Sequence, residues 1–131
     1  MADRLRCAVI GTGGIGLEHL VSLSACPRAA SVAIAENNPQ RAKEASERFR
    51  ISRSYSDYRE LLDQPDIDAV TIALPNHLHA QVAIAALEAR KHVLLEKPMA
   101  IDVPSAREIV RAQRESGKVC SAAYRHSQGG A

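Results

Sequence analysis

The sequence predicts an α/β fold: a doubly wound parallel sheet in three layers, with helices on both faces, formed as a single domain. Three observations carry this. Five short apolar runs, at residues 7–10, 31–35, 69–74, 92–95 and 119–123, are continuous rather than alternating, as strands buried on both faces are. Helix-forming segments separate them, and such alternation builds a parallel sheet through right-handed crossovers. The length, 131 residues, suits one domain around one core.

The elements follow in order. Residues 7–10 make the first strand, and the first helix opens on the glycine-rich turn behind it. After the second strand, 31–35, Asn38 caps a helix over 39–50, with Pro39 at the first helical position, where a missing N–H costs nothing. A weak strand near 53–55 and a short helix over 57–63 fill the middle. The run 69–74 leads into a helix over 80–89, built almost wholly of helix formers. Strand 92–95 precedes a helix over 103–116 that Asp102 caps and Gly117 ends in a left-handed turn. In that helix Ala106, Ile109 and Val110 form one apolar stripe. Residues 1–125 are thus expected as the domain, and 126–131 as a disordered tail or truncated linker.

Composition narrows the partners. With 46% hydrophobic and 24% charged residues, the chain is neither fibrous nor wholly disordered. Lys and Arg number 17 against 15 Asp and Glu, a net charge of +2 that by itself points to no nucleic acid or membrane surface. Aromatics are 3%, without Trp, which leaves little to stack on exposed bases. Cys7, Cys26 and Cys120 have neither CxxC spacing nor an even count, so a reducing cytoplasm is expected rather than a disulfide framework. No apolar run approaches the roughly 20 residues of a membrane span.

The turn Gly11-Thr12-Gly13-Gly14-Ile15-Gly16 follows the first strand and opens the first helix. Gly11 permits the tight turn, Gly13 lets the main chain approach a diphosphate, and Gly16 lets helix and strand pack closely. The free amides of the helix start, with the helix dipole behind them, favour that negative charge. Glu36 ends the second run, 20 residues after Gly16, where a carboxylate can accept bonds from both adenosine ribose hydroxyls. Its charge repels a 2′-phosphate, so NAD is expected over NADP. Asn37 and Asn38 beside it are neutral, however, and Arg41 can swing in to meet a phosphate, which keeps NADP open.

Ligands of open α/β sheets sit beyond the carboxyl ends of the strands. There the sequence places Leu74, Pro75, Asn76, His77 and His79, then Glu96, Lys97 and Pro98, then Tyr124 and Arg125. A lysine at a partly dehydrated site can exchange a proton with an alcohol, or hold that oxygen as a cation. Lys97 reads equally as a solvated turn cation, and Glu96 can tune or anchor it. His77 and His79 form an H-x-H pair with no third ligand in view, so no metal site is expected. His79 is read as opening its helix near the cofactor, His19 and His92 as structural or exposed, and Cys7 and Cys120 as small core residues.

The combination of Gly11 to Gly16, Glu36, Pro75-Asn76 with His79, and Glu96-Lys97-Pro98 resembles the amino-terminal Rossmann half of the glucose-fructose oxidoreductase/inositol dehydrogenase (Gfo/Idh/MocA) family. The likeness runs from about residue 4 to 124, and the E-K-P set is what other glycine-turn domains lack. The resemblance implies NAD(P)-dependent oxidation of a sugar or cyclitol hydroxyl, or reduction of the carbonyl. It makes Lys97 the catalytic or substrate-orienting lysine, puts Asn76 and His79 in the cofactor cleft, and gives Glu96 to the nicotinamide side. Leu74 and Tyr124 are expected beside the cofactor with them. The family continues into a second domain carrying the substrate pocket, so this chain is expected to bind dinucleotide without full turnover. Two other readings stand beside it: a non-catalytic dinucleotide-sensing or homodimerising module, and a flavin-dinucleotide unit, disfavoured because no hairpin insertion interrupts the alternation.

Overall fold

The computed structural model describes residues 4–96 and 102–123. Its strands are β1 (Leu5–Ile10), β2 (Ala29–Ala35), β3 (Arg53–Tyr55), β4 (Ala69–Ile72), β5 (His92–Glu96) and β6 (Cys120–Ala123). The helices are α1 (Gly14–Ser24), α2 (Pro39–Phe49), α3 (Tyr58–Leu62), α4 (His79–Glu88) and α5 (Val103–Ser116), with a 3-10 turn at Asn76–Leu78. The six strands pair in parallel in the order β3-β2-β1-β4-β5-β6. The order reverses between β1 and β4, and a crevice opens at such a switch point.

Alternation along each strand distributes the core. Ala8 and Ile10 of β1 enter the larger cluster with Ile72, Leu87, Leu95 and Ile109, which α3, α4 and α5 cover. Val9, between them, turns to the other face and packs with Leu20, Ile34, Ala45 and Ile51 under α1 and α2. Each fully buried Leu or Ile contributes about 1.5–3 kcal/mol by leaving water. The helix ends are set by the expected residues. Asn38 Oδ1 accepts from the amides of Gln40 and Arg41, Asp102 Oδ1 accepts from Ser105 N at 2.8 Å, and Gly117 takes φ +70°.

Some expected bounds shift, each for a local reason. β1 and β2 begin earlier because Leu5 pairs with Ala29 and extends the ladder despite an exposed side chain. The fourth strand ends at Ile72 rather than 74, so Ala73 and Leu74 turn into the crevice. Arg50 is not helical: it adopts φ +56° and brings Ile51 N back to Ser46 O at 2.9 Å. In α5 the inward face is Ile109 and Ala112, whereas Val110 is 39% exposed, a rotation of the apolar stripe that Ala106 and Val110 misled. Among the described residues no helix is long and apolar enough to cross a membrane. The expected tail at 126–131 lies outside the described residues.

Candidate functional site

β1 delivers its last buried residue, Ile10, directly to the glycine turn. Gly11 has φ +93°, and its amide donates to Ala35 O at 2.8 Å. A Cβ there would strike the Ala73 carbonyl, and a Cβ at Gly16 would strike the Gly11 carbonyl. These two glycines are therefore required by the packing of the fold itself. Gly13 and Gly14 differ: a Cβ on either meets nothing within 4 Å. Gly13 caps α1 with no side chain, so the first-turn amides face open space from which an anion can approach.

Glu36 follows β2 and is 6% exposed. Its Oε1 accepts from Thr12 N at 2.8 Å and Thr12 Oγ1 at 3.1 Å, and its Oε2 from Asn38 N at 2.9 Å and Arg41 Nη2 at 3.1 Å. A carboxylate offers about four acceptor positions, so these donors fill it. Burial works to raise the Glu36 carboxyl, but the bonds from Thr12, Asn38 and Arg41 outweigh it and hold the group below the ordinary glutamate range. Two of the four donors are main-chain amides fixed by the turn and by α2. The Arg41 side chain is 51% exposed, so it is the donor free to leave. A cavity of about 500 Å³ adjoins the carboxylate, with Gly11, Gly13, Asn37, Arg41, Leu74 and Leu78 among its walls. A recess of about 640 Å³ lies elsewhere, lined by α5 residues alone; one helix flank encloses nothing.

Beyond β4 the expected residues separate. Asn76 opens the 3-10 turn and is exposed, as is His77. His79, at the start of α4, is 1% exposed, and its Nε2 lies 2.8 Å from Leu74 O. A carbonyl only accepts, so Nε2 donates, and the imidazole pins the loop that carries Leu74 along the cavity. With His77 outside and His79 inside, the H-x-H pair cannot converge on one ion, and no group of metal-ligating side chains forms among the described residues. Thr12 is buried and Ile15 is 38% exposed. Lys97, Pro98 and Tyr124 lie outside the described residues.

Glu96, the last residue of β5, is 5% exposed and lies 2.6 Å through Oε2 from His19 Nε2 on α1. Nothing local in the sequence marks this pair. His19 sits one turn past Gly16 on the helix flank facing β5, a position that only the three-dimensional order of strands reveals. The structure therefore joins two things: the glycine turn with Glu36 on the β2 side of the switch point, and α1 with the end of β5 on the other.

Comparison with known proteins gives the same outline. Residues 5–124 match the family model described as "Oxidoreductase family, NAD-binding Rossmann fold". A levoglucosan dehydrogenase of Pseudarthrobacter phenanthrenivorans is 38% identical over 95% of this chain and 34% of its own length. An inositol 2-dehydrogenase of Mycolicibacterium smegmatis is 42% identical over 89% of this chain and 34% of its own length. Among solved structures, a biliverdin reductase from Synechocystis in complex with biliverdin and NADP+ superposes with a TM-score of 0.85 at 30% identity, over 90% of this chain and 37% of that one. The chain thus spans about a third of the length of the relatives it matches.

Proposed function

The chain belongs to the Gfo/Idh/MocA oxidoreductase family, with its NAD-binding Rossmann fold, and from that premise we propose that it is the cofactor half of a dehydrogenase acting on a sugar or cyclitol hydroxyl, or on the matching carbonyl. The levoglucosan and inositol dehydrogenases among its relatives support that substrate class. The likeness to a biliverdin reductase argues that this half alone does not choose the substrate. Turnover then belongs to a longer protein, because a substrate not held at attack distance forfeits most of the rate.

One observation carries the reading: uncapped amides at an open glycine turn stand beside a buried carboxylate across a single cavity. The amides of Gly13, Gly14 and Ile15 would hold the diphosphate. Thr12 keeps Glu36 in place, and Glu36 accepts from the adenosine ribose once Arg41 withdraws. Asn37 borders that subsite. Leu74 and Asn76 flank the path toward β5, with His79 steadying Leu74, and the family resemblance adds Tyr124 to the cofactor-binding residues. When bound, the dinucleotide would supply hydride-transfer chemistry. Lys97 would move the matching proton to or from the substrate oxygen, and Glu96, its neighbour in sequence, would anchor it.

The buried negative charge of Glu36 disfavours a 2′-phosphate, so NAD is bound in preference to NADP. Calorimetric titration with NAD, NADP and FAD in parallel tests the proposal. NAD should bind most tightly; tighter binding of FAD, or heat from none of the three, would reject it.

A further inference from the structure

We infer that His19 is a positioning residue for the nicotinamide half of the cofactor, acting through its hydrogen bond to Glu96; the inference rests on the dinucleotide-binding reading above. The two side chains are 77 residues apart and meet at 2.6 Å, with 17% and 6% of their surfaces exposed. His19 is the only partner of the Glu96 carboxylate among the described residues. A buried carboxylate that loses its donor is left unpaired away from water, a cost it relieves by swinging out to solvent. That swing would disturb the end of β5, whose last residue is Glu96.

The position of the pair fixes which half of the ligand it serves. A dinucleotide lies across the switch point, here between β1 and β4, with its diphosphate at the start of α1. Glu36, on the β2 side, takes the adenosine half, so the other half runs over β4 toward β5. His19 lies five residues into α1 from Gly14, about 7.5 Å along the axis at 1.5 Å per residue, and reaches sideways to the end of β5. It ties the helix that grips the diphosphate to the strand that ends beneath the nicotinamide. The hydrogen bonds of Glu36 go to Thr12, Asn38 and Arg41 and not to this link.

Because the link serves one half of the ligand, two ligands separate it from a merely structural contact. Affinities for NAD and for ADP-ribose, which lacks the nicotinamide, are measured by calorimetry for the unaltered chain and for His19→Ala, His19→Gln, Glu96→Gln and the double variant His19→Ala/Glu96→Gln. His19→Ala should lose about tenfold in NAD affinity and less than about twofold for ADP-ribose, a difference equal to one hydrogen bond to a charged group. The Gln amide can donate from near the Nε2 position, so His19→Gln should recover most of the loss. The double variant should be no weaker than His19→Ala. Equal losses for both ligands, or no loss for either, overturn the inference. Failure of the unaltered chain to bind either ligand instead overturns the dinucleotide reading beneath it, and the inference with it.

Discussion

Glu36 accepts both the main-chain nitrogen of Thr12, at 2.8 Å, and its hydroxyl, at 3.1 Å, through one carboxylate oxygen. The acid after β2 thereby spends one amide of the glycine turn on itself, and that bond sets the shape of the turn. The anion site consequently begins one residue later, at Gly13. Replacing Glu36 by Gln turns one accepting oxygen into a donor that faces Thr12 N or Asn38 N. Stability should fall by about 1–3 kcal/mol, as for a buried donor left unpaired, and NAD affinity should fall with it; thermal unfolding and titration of one preparation measure both.

The same four bonds give a pH dependence with a definite sign. The folded-state pKa of Glu36 lies below its unfolded value, so its contribution is fully present above the ordinary glutamate pKa of about 4.3 and is lost as pH falls through the lower folded value. The unaltered chain should lose stability through this window more steeply than Glu36→Gln. Urea melts at stepped pH values compare them, and parallel curves would exclude the bonds as the source.

Gly13 and Gly16 should respond oppositely to alanine. At Gly16 the new methyl meets the Gly11 carbonyl, and such overpacking costs about 1–3 kcal/mol. At Gly13 the methyl meets nothing and the backbone, at φ −70°, accepts any residue, yet the methyl occupies space the diphosphate needs. Gly13→Ala should therefore keep its melting temperature and lose about tenfold or more in NAD affinity, equivalent to about 1.4 kcal/mol.

Arg41 holds Glu36 from a half-exposed side chain, and a ribose must displace it. Arg41→Ala should leave NAD affinity within about threefold, under about 1 kcal/mol, since the bond is one the ribose displaces on binding. A larger fall in NADP affinity than in NAD affinity would mark Arg41 as the group that meets a 2′-phosphate. Equal changes would mean it serves only Glu36.

Arg50 ends α2 in a left-handed conformation at φ +56°, which costs a non-glycine residue about 1–2 kcal/mol. Arg50→Gly should raise the unfolding free energy by a few tenths to about 1 kcal/mol, because glycine adopts that conformation freely but loses more chain entropy on folding. Denaturant melts decide it.

Features set by neighbours in sequence were legible without coordinates. Asn38, Asp102 and Gly117 act on amides or carbonyls a few residues away, and the glycine spacing describes one local turn. Features set by packing were not. Nothing local distinguishes Val110 from Ala112 as the inward residue of α5, because α4 packs against it and chooses the flank. The His19 to Glu96 contact depends on β4 lying beside β1 and β5 beside β4. The loss of Thr12's amide to Glu36 follows from the close approach of two strand ends rather than from either residue's type.

The most direct test of the account is amide chemical-shift mapping of the nitrogen-15-labelled chain titrated with NAD. Gly13, Gly14, Ile15 and Asn38 should shift together along one saturable curve, with His19 following for NAD but not for ADP-ribose. Shifts confined to α5 around Arg107 and Arg111, or a glycine turn unmoved at saturation, would contradict it.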